Sequence, residues 1–212
     1  MHIMAVSGSY RRGGATYRMV EAVADGAREA GAEVDVLHLR DIEFAFCTNC
    51  HTCWDAPTLE AALVKCPARD ELTPWIERLA GADGLILSSP VNLGSMSALT
   101  KKFMERCAPM AVFKPMPLLA RILVAPSRCP SPRLEKKHRT LVFITASATP
   151  ARVARLFMRM PKKQLLAFCE VWPARLVDFI WVGGTLAPGW KLSEHDLARA
   201  RAAGAKMVRR LK

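Results

Sequence analysis

A doubly wound α/β domain is what this sequence predicts, on three observations. Strand patterns alternate with helix patterns along the whole chain. A loop rich in glycine and hydroxyl side chains leaves the first strand and runs straight into a helix. A length of 212 residues suits one α/β domain with a substantial core better than two.

The elements follow in order. His2-Ile3-Met4-Ala5-Val6 is a short apolar strand. Ala15 to Ala30 places Met19, Val20, Val23 and Ala27 at helical spacing and closes at Gly31. Glu33 to Leu39 is the second strand, Leu72 to Ala80 a helix, Gly84 to Ser88 the third strand and Ser97 to Cys107 the next helix. Arg139 to Ala146 is the fourth strand, Ala151 to Cys169 a basic helix with Pro161 as its kink point, and Leu176 to Val182 the fifth strand. Ser193 to Leu211 closes the chain as an amphipathic helix, with Ser193 and Asp196 in a capping-box-like start. Helices between strands impose parallel pairing through right-handed crossovers. Such sheets bind ligands beyond the carboxyl ends of their strands, which directs attention to the stretches after strands one, three and four.

Composition narrows the class. Hydrophobic residues at 51% and charged residues at 24% are those of a folded globular protein. No apolar run reaches the roughly 18 residues needed to span a bilayer, and the nearest, Pro115 to Pro126, is broken by Arg121. Neither a charged leader nor a small-residue cleavage site precedes the first strand, so a cytoplasmic protein is expected. Seven cysteines, an odd number, argue for metal or redox chemistry rather than a disulfide framework. Cys107, Cys129 and Cys169 read as packing residues. Charge is unevenly placed: residues 1–110 carry 11 Lys/Arg against 14 Asp/Glu, and residues 111–212 carry 20 against 5. A basic half of that size favours an anionic partner: a nucleotide cofactor, an acidic electron-transfer protein, nucleic acid or an anionic membrane surface. No recognition motif or aromatic stacking pattern supports nucleic acid, which is not expected.

The loop after strand one reads Ser7-Gly8-Ser9-Tyr10-Arg11-Arg12-Gly13-Gly14-Ala15-Thr16. Its glycines let backbone N–H groups turn inward, the hydroxyls of Ser7, Ser9 and Thr16 donate to oxygens, Arg11 supplies charge, and the helix starting at Gly14 and Ala15 adds its dipole. This set suits a phosphate monoester. It lacks the Lys-Ser/Thr of a P-loop after Gly8-x4-Gly13 and the G-x-G-x-x-G of a dinucleotide site. The bland alternative is a polar turn with an incidental arginine.

Cys47, Cys50 and Cys53 recur at a spacing of three, and Cys66-Pro67 follows. Three sulfurs at that spacing converge on one small volume, and a fourth completes the thiolates of a cubane cluster. Zinc accepts the same four, or three with His51, and free thiols are the third reading. Trp54 reads as packing. His2, His38, His51, His138 and His195 are scattered and read as structural; Asp70-Glu71 reads as the acidic first turn of a helix.

Gly8 to Thr16, the cysteine segment, Asp83 to Ser97 and Lys101 to Arg106 stand in an order that resembles the NADPH-dependent FMN reductase family of flavodoxin-like proteins. The similarity is strongest to its iron-sulfur flavoprotein branch and covers residues 1–107 best. It implies a five-stranded parallel sheet of order 2-1-3-4-5 in one domain over residues 1–212. The cysteine motif would be an insertion at about 44–70, and a basic, apolar stretch a second at about 108–138. By the same resemblance Ser9, Arg11, Gly14 and Thr16 hold the FMN phosphate, and Pro90, Val91, Asn92, Leu93 and Gly94 wrap the isoalloxazine ring with backbone N–H groups. Ser147 and Thr149 reach the ring edge, and Cys47, Cys50, Cys53 and Cys66 carry a [4Fe-4S] cluster. Three departures stand out: Asn92 replaces a common aromatic, Ser147-Ala148-Thr149-Pro150 replaces a glycine-rich loop, and the twelve residues between Cys53 and Cys66 exceed the branch's compact spacing.

The function implied is an FMN-dependent oxidoreductase that takes hydride from NADPH or NADH, with no side-chain acid or base required. The alternative is an electron carrier exchanging with an acidic ferredoxin-like partner. Relatives imply a homo-oligomer, dimer or tetramer. Arg152, Arg155, Arg159, Lys162 and Lys163 recur on a helical pattern with Val153, Leu156, Phe157 and Met160. They read as a solvated face, or as a docking surface for an acidic ferredoxin-like partner or the NADPH phosphates with the apolar 112–126 segment nearby as an interface or lid, or, as a weaker alternative, as a membrane-surface attachment.

Overall fold

A computed structural model describes residues 1–115, 128–134 and 138–212. Its strands are β1 (His2–Ser7), β2 (Glu33–His38), β3 (Gly84–Asn92), β4 (Ser95–Met96), β5 (Ala111–Pro115), β6 (Arg128–Pro132), β7 (Thr140–Ala146) and β8 (Arg175–Val182). Its helices are α1 (Ala15–Glu29), α2 (Leu59–Lys65), α3 (Thr73–Gly81), α4 (Ala98–Arg106), α5 (Ala151–Phe157), α6 (Met160–Cys169) and α7 (Glu194–Leu211). Five strands pair in parallel in the order β2-β1-β3-β7-β8, the expected topology. Ser7 stands beside Ser88, and Ala146 beside Pro90, so β1, β3 and β7 end together at one edge.

The apolar runs of the central strands are buried on both sides, as parallel strands between helical layers require. Met4, Val6, Leu85, Leu87 and Phe143 face one layer, with Ile76, Phe103, Phe168 and Trp172. Ile3, Ala5, Ile86, Val142 and Ile144 face the other, made by α1 and α7. Those two helices cross at glycines: a Cβ on Gly26 would lie 2.0 Å from the Arg201 carbonyl oxygen, and one on Gly204 2.0 Å from that of Val23. In the first layer the Trp172 indole Nε1–H donates to Leu79 O at 2.9 Å. Ser193 caps α7, its Oγ accepting from Asp196 N at 3.1 Å, as the capping-box spacing implies. Among the described residues no helix is long and apolar enough to cross a membrane.

The structure departs from the sequence reading in several places. β3 runs on to Asn92 instead of stopping at Ser88, and turns back through Leu93 (φ 48°) and Gly94 (φ 76°) into β4. Two left-handed residues make a type I′ hairpin, whose turn chemistry Leu93 conceals. The segment expected as one kinked helix is two, α5 and α6, broken at Met158 and not at Pro161. Pro161 sits in the first turn of α6, where a missing N–H costs nothing, and its ring forbids a continuous helix through Phe157, four residues back. α2 and the antiparallel pair β5–β6 were not anticipated. Asp70 and Glu71 precede α3 and do not open it; Asp70 pairs with the buried Arg106, and Glu71 accepts from Glu43 N at 2.6 Å. Cys107 is buried in the core and Cys169 packs against it. The side chain of Cys129 and most of the apolar stretch before it, residues 116–127, lie outside the described residues.

Candidate functional site

The carboxyl ends of β1, β3 and β7 open into a cleft of about 710 Å³. Buried hydroxyls at these strand ends tie them together. Ser97 Oγ donates to Gly8 O at 2.8 Å, Ser97 N–H donates to Ser89 Oγ at 2.9 Å, and Thr145 Oγ1 donates to Ser89 O at 2.8 Å. Gly8 N–H in turn donates to Ser88 O at 2.9 Å. Gly8 must be glycine, because a Cβ there would fall 1.8 Å from Thr100 Oγ1.

One wall is the loop into α1. Ser9, Arg11, Gly14, Ala15 and Thr16 all line the cleft. Ser9 Oγ holds the loop's shape, accepting from Arg11 N at 3.2 Å and reaching Arg11 O at 3.1 Å. Gly14 is the N-cap of α1 and no side chain caps it; the first turn carries no acid. The helix therefore presents its first N–H groups and positive dipole end to the cleft, with exposed Arg11 beside them. Ser7 is fully buried at the end of β1 and lies beneath the cleft, not on its wall.

The opposite wall is Pro90, Val91 and Asn92 from β3 with Ala146, Ser147 and Ala148 after β7. Leu93 and Gly94 form the exposed hairpin tip beyond it, and Leu93 projects wholly into solvent. The Ser147 hydroxyl is engaged inside its own loop, donating to Thr149 O at 2.8 Å and accepting from Trp181 Nε1 at 2.9 Å. Thr149 does not line the cleft; its carbonyl also accepts from Gly184 N. Sequence reading missed a third wall, the loop after β8, which brings Thr185, Leu186, Trp190, Lys191 and Glu194 to the cleft. The Trp-Lys pair just before the Ser193 cap was a usable signal, since β8 ends beside β7.

The four motif cysteines line a second cavity of about 520 Å³, closed by Met104 and Arg106 of α4 and by Val171. Arg106 grips both ends of the cysteine segment, donating to Ala45 O at 3.0 Å and to Asp70 Oδ2 at 2.6 Å. Arg133, just past β6, donates to Cys53 O at 2.8 Å and Pro109 O at 3.0 Å. Asn49 and His51 take left-handed conformations that curl the motif, and His51 stacks on Trp54 with centroids 3.6 Å apart. Burial, aided by the nearby Cys66 and then Cys47 and Cys50, pushes the Cys53 thiol up to about 11. The exposed Cys50 thiol moves the other way, lowered by its hydrogen bond with Thr52. Among the described residues no three Cys, His, Asp or Glu side chains are drawn together as a metal site.

A family model described as NADPH-dependent FMN reductase matches residues 1–158. The chain belongs to that family. Among its relatives is an iron-sulfur flavoprotein of Methanocaldococcus jannaschii, 32% identical over 112 residues, a match covering 53% of this chain and 54% of the relative. Another, from Methanosarcina thermophila, is 30% identical over 106 residues, covering 50% and 52%. The chain thus spans about half the length of the curated relatives it matches. In fold it is similar to an NAD(P)H:quinone oxidoreductase from Methanothermobacter marburgensis, with TM-score 0.67 and 18% identity over 97% of this chain and 98% of that one. A flavone reductase gives TM-score 0.65 and 17% identity, over 99% and 62%.

The cleft of this FMN reductase family chain fits the cofactor its family is named for. An uncapped helix start, glycines and Arg11 are the donors a phosphate monoester requires, and the buried hydroxyl bonds of Ser97, Ser89 and Thr145 hold the strand ends behind them. The cysteine cavity supplies four thiols, the donor type that iron-sulfur clusters and zinc share.

Proposed function

We propose that this chain binds FMN in the cleft and acts as an NAD(P)H-dependent oxidoreductase. The observation that carries the reading is the meeting of Arg11, the uncapped start of α1 and the backbone of Pro90–Asn92 around one opening. Arg11 and the first N–H groups of α1 bind the phosphate, and the Pro90–Asn92 and Ala146–Ala148 segments position the ring. Trp190 and Leu186 shield one side of the opening from water. When bound, FMN supplies the hydride-accepting and electron-donating chemistry. The residues' work is orientation, and Lys191 and Arg18, both on the cleft wall, attract the nicotinamide nucleotide's phosphates.

FMN titrated into the protein should lose fluorescence as it enters the cleft, and stopped-flow mixing with NADPH or NADH should bleach the bound flavin. Flavin that binds but is reduced by neither nucleotide would remove the reductase reading and leave an electron carrier. That second reading is favoured by the four cysteines on one cavity wall, which would hold a [4Fe-4S] cluster in an anaerobically reconstituted sample. Iron and sulfide analysis with electron paramagnetic resonance tests it. Cytoplasmic location, one-domain organisation over residues 1–212 and a homo-oligomeric state belong to the same proposal; sedimentation velocity measures the last.

A further inference from the structure

The outward face of α5 and α6 is unlike the solvent side of an ordinary helix pair. Inward, Ala154, Pro161, Leu165 and Phe168 are buried at helical spacing. Outward, Val153, Leu156, Phe157, Met160 and Leu166 are 46%, 59%, 75%, 50% and 52% exposed. Between them stand five exposed cations, Arg152, Arg155, Arg159, Lys162 and Lys163. No Asp or Glu occurs between Glu135 and Glu170, and among the described residues none of the five cations pairs with a carboxylate.

Each half of this pattern narrows the occupant. Five like charges with no acid among them repel a second copy of the same face and call for an anionic surface. Contact cores between proteins are depleted in lysine, whereas here Lys162 and Lys163 stand with three arginines among large apolar side chains along residues 152–163. Leu156, Phe157 and Met160 supply exposed apolar groups for the acyl boundary, and the cations flanking them supply charge for anionic headgroups.

We infer that the α5–α6 face is a docking surface for an anionic phospholipid bilayer. The face adjoins the cleft. α5 begins directly after the Ser147–Pro150 loop, and Gln164 of α6 accepts from Ser95 Oγ at 3.1 Å and Met96 N at 3.0 Å. This fastens α6 to the β3–β4 hairpin whose tip is the exposed Leu93. Docking would therefore set the cleft mouth beside the lipid surface. The inference stands whether or not FMN occupies the cleft.

Flotation of the full chain with vesicles of phosphatidylcholine alone, and of phosphatidylcholine mixed with phosphatidylglycerol, tests it at low and high salt. The protein should float with the anionic vesicles at low salt, less at high salt, and remain behind with neutral ones. The double variant Arg155→Glu/Arg159→Glu should lose roughly a hundredfold in partitioning, and Leu156→Ser/Phe157→Ser roughly tenfold at either salt. Circular dichroism and melting of these surface variants should match the parent. Equal flotation with neutral vesicles, no flotation with anionic ones, or retention by both variants would overturn the inference. So would capture of an acidic ferredoxin by this face in a protein that ignores the vesicles, which would make it a protein-docking surface.

Discussion

Replacing Arg106 by methionine should release the cysteine segment from the sheet. The guanidinium is 2% exposed and bridges Ala45 O and Ala68 O to both oxygens of Asp70, whose side chain is 18% exposed. Methionine keeps the stem's bulk in the core and removes every donor. Asp70 then keeps only the N–H groups of Ala45 and Leu72, and the Ala45 and Ala68 carbonyls lose the donor they share. Breaking a buried pair from one side costs about 3–5 kcal/mol, since an uncompensated charge remains. At roughly 2–4 °C per kcal/mol for a chain this size, the melting temperature should fall by about 6–20 °C. Acid should reproduce part of the loss. Burial alone would raise the Asp70 carboxyl, but the hydrogen bond and charge of Arg106 and the backbone N–H groups outweigh it and hold it below the usual carboxylate value. Its stabilisation is therefore complete above the unfolded pKa, about 4, and is lost as pH falls through the folded value. Urea unfolding followed by tryptophan fluorescence measures the global cost, and thiol labelling of Cys53 reports the segment. Adding Asp70→Asn to Arg106→Met should recover about 1–2 kcal/mol by removing the stranded charge. A melting shift under about 2 °C for the single variant would refute this account of the clamp.

Four further outcomes follow from the geometry. Arg11→Ala should weaken FMN roughly 10- to 100-fold, the worth of one charged hydrogen bond, and leave riboflavin affinity unchanged; equal losses for both ligands would show that Arg11 does not meet the phosphate. Gly204→Ala should cost about 3 kcal/mol, because the new Cβ would meet the Val23 carbonyl at 2.0 Å and force α7 off α1; an unmoved urea midpoint would contradict that crossing. Leu93→Asn should stabilise by about 0.5–1 kcal/mol, since Leu93 is held at φ 48° with its side chain wholly in solvent, and calorimetry can detect the gain. In metal-free protein at pH 8, iodoacetamide should modify exposed Cys50 before Cys53, whose thiol burial pushes up to about 11, and before Cys107 in the core; peptide mass spectrometry showing the reverse order would count against the placement of the motif.

The readable parts of the fold were those written in local period. β1 shows both faces of a central strand because Ile3 and Ala5 go one way and Met4 and Val6 the other, and an apolar run bounded by a glycine-rich turn has few other homes. α1 and α7 were legible from their apolar stripes, and the Ser193 cap from one residue type at one spacing. The break between α5 and α6 fell where the proline ring clashes, four residues ahead of Pro161, and not at the proline itself. The hairpin at Leu93 was hidden because leucine is a poor left-handed residue; the pairing of Val91 with Met96 and Asn92 with Ser95, together with the hold of Gln164 on Ser95 and Met96, keeps it there.

The cleft divides along the same line. The α1 loop could be read as anion-binding because glycines, hydroxyls and Arg11 lie within ten consecutive residues and the helix start follows from the pattern. The third wall, from Thr185 to Glu194, could not be read so directly, since it joins the cleft only through the pairing of β8 with β7. Likewise the cysteine spacing announced thiol chemistry by itself, but the cavity and its clamp required Arg106, thirty-six residues beyond Asp70. Short-range periodicity and turn chemistry are energies paid within a few residues, so the chain alone determined the five parallel strands, α1, α3, α4, α7 and the phosphate-type loop. Which distant side chains share a wall, and which glycines lie under another backbone, depend on the register and crossing of whole elements, and these the tertiary structure decided.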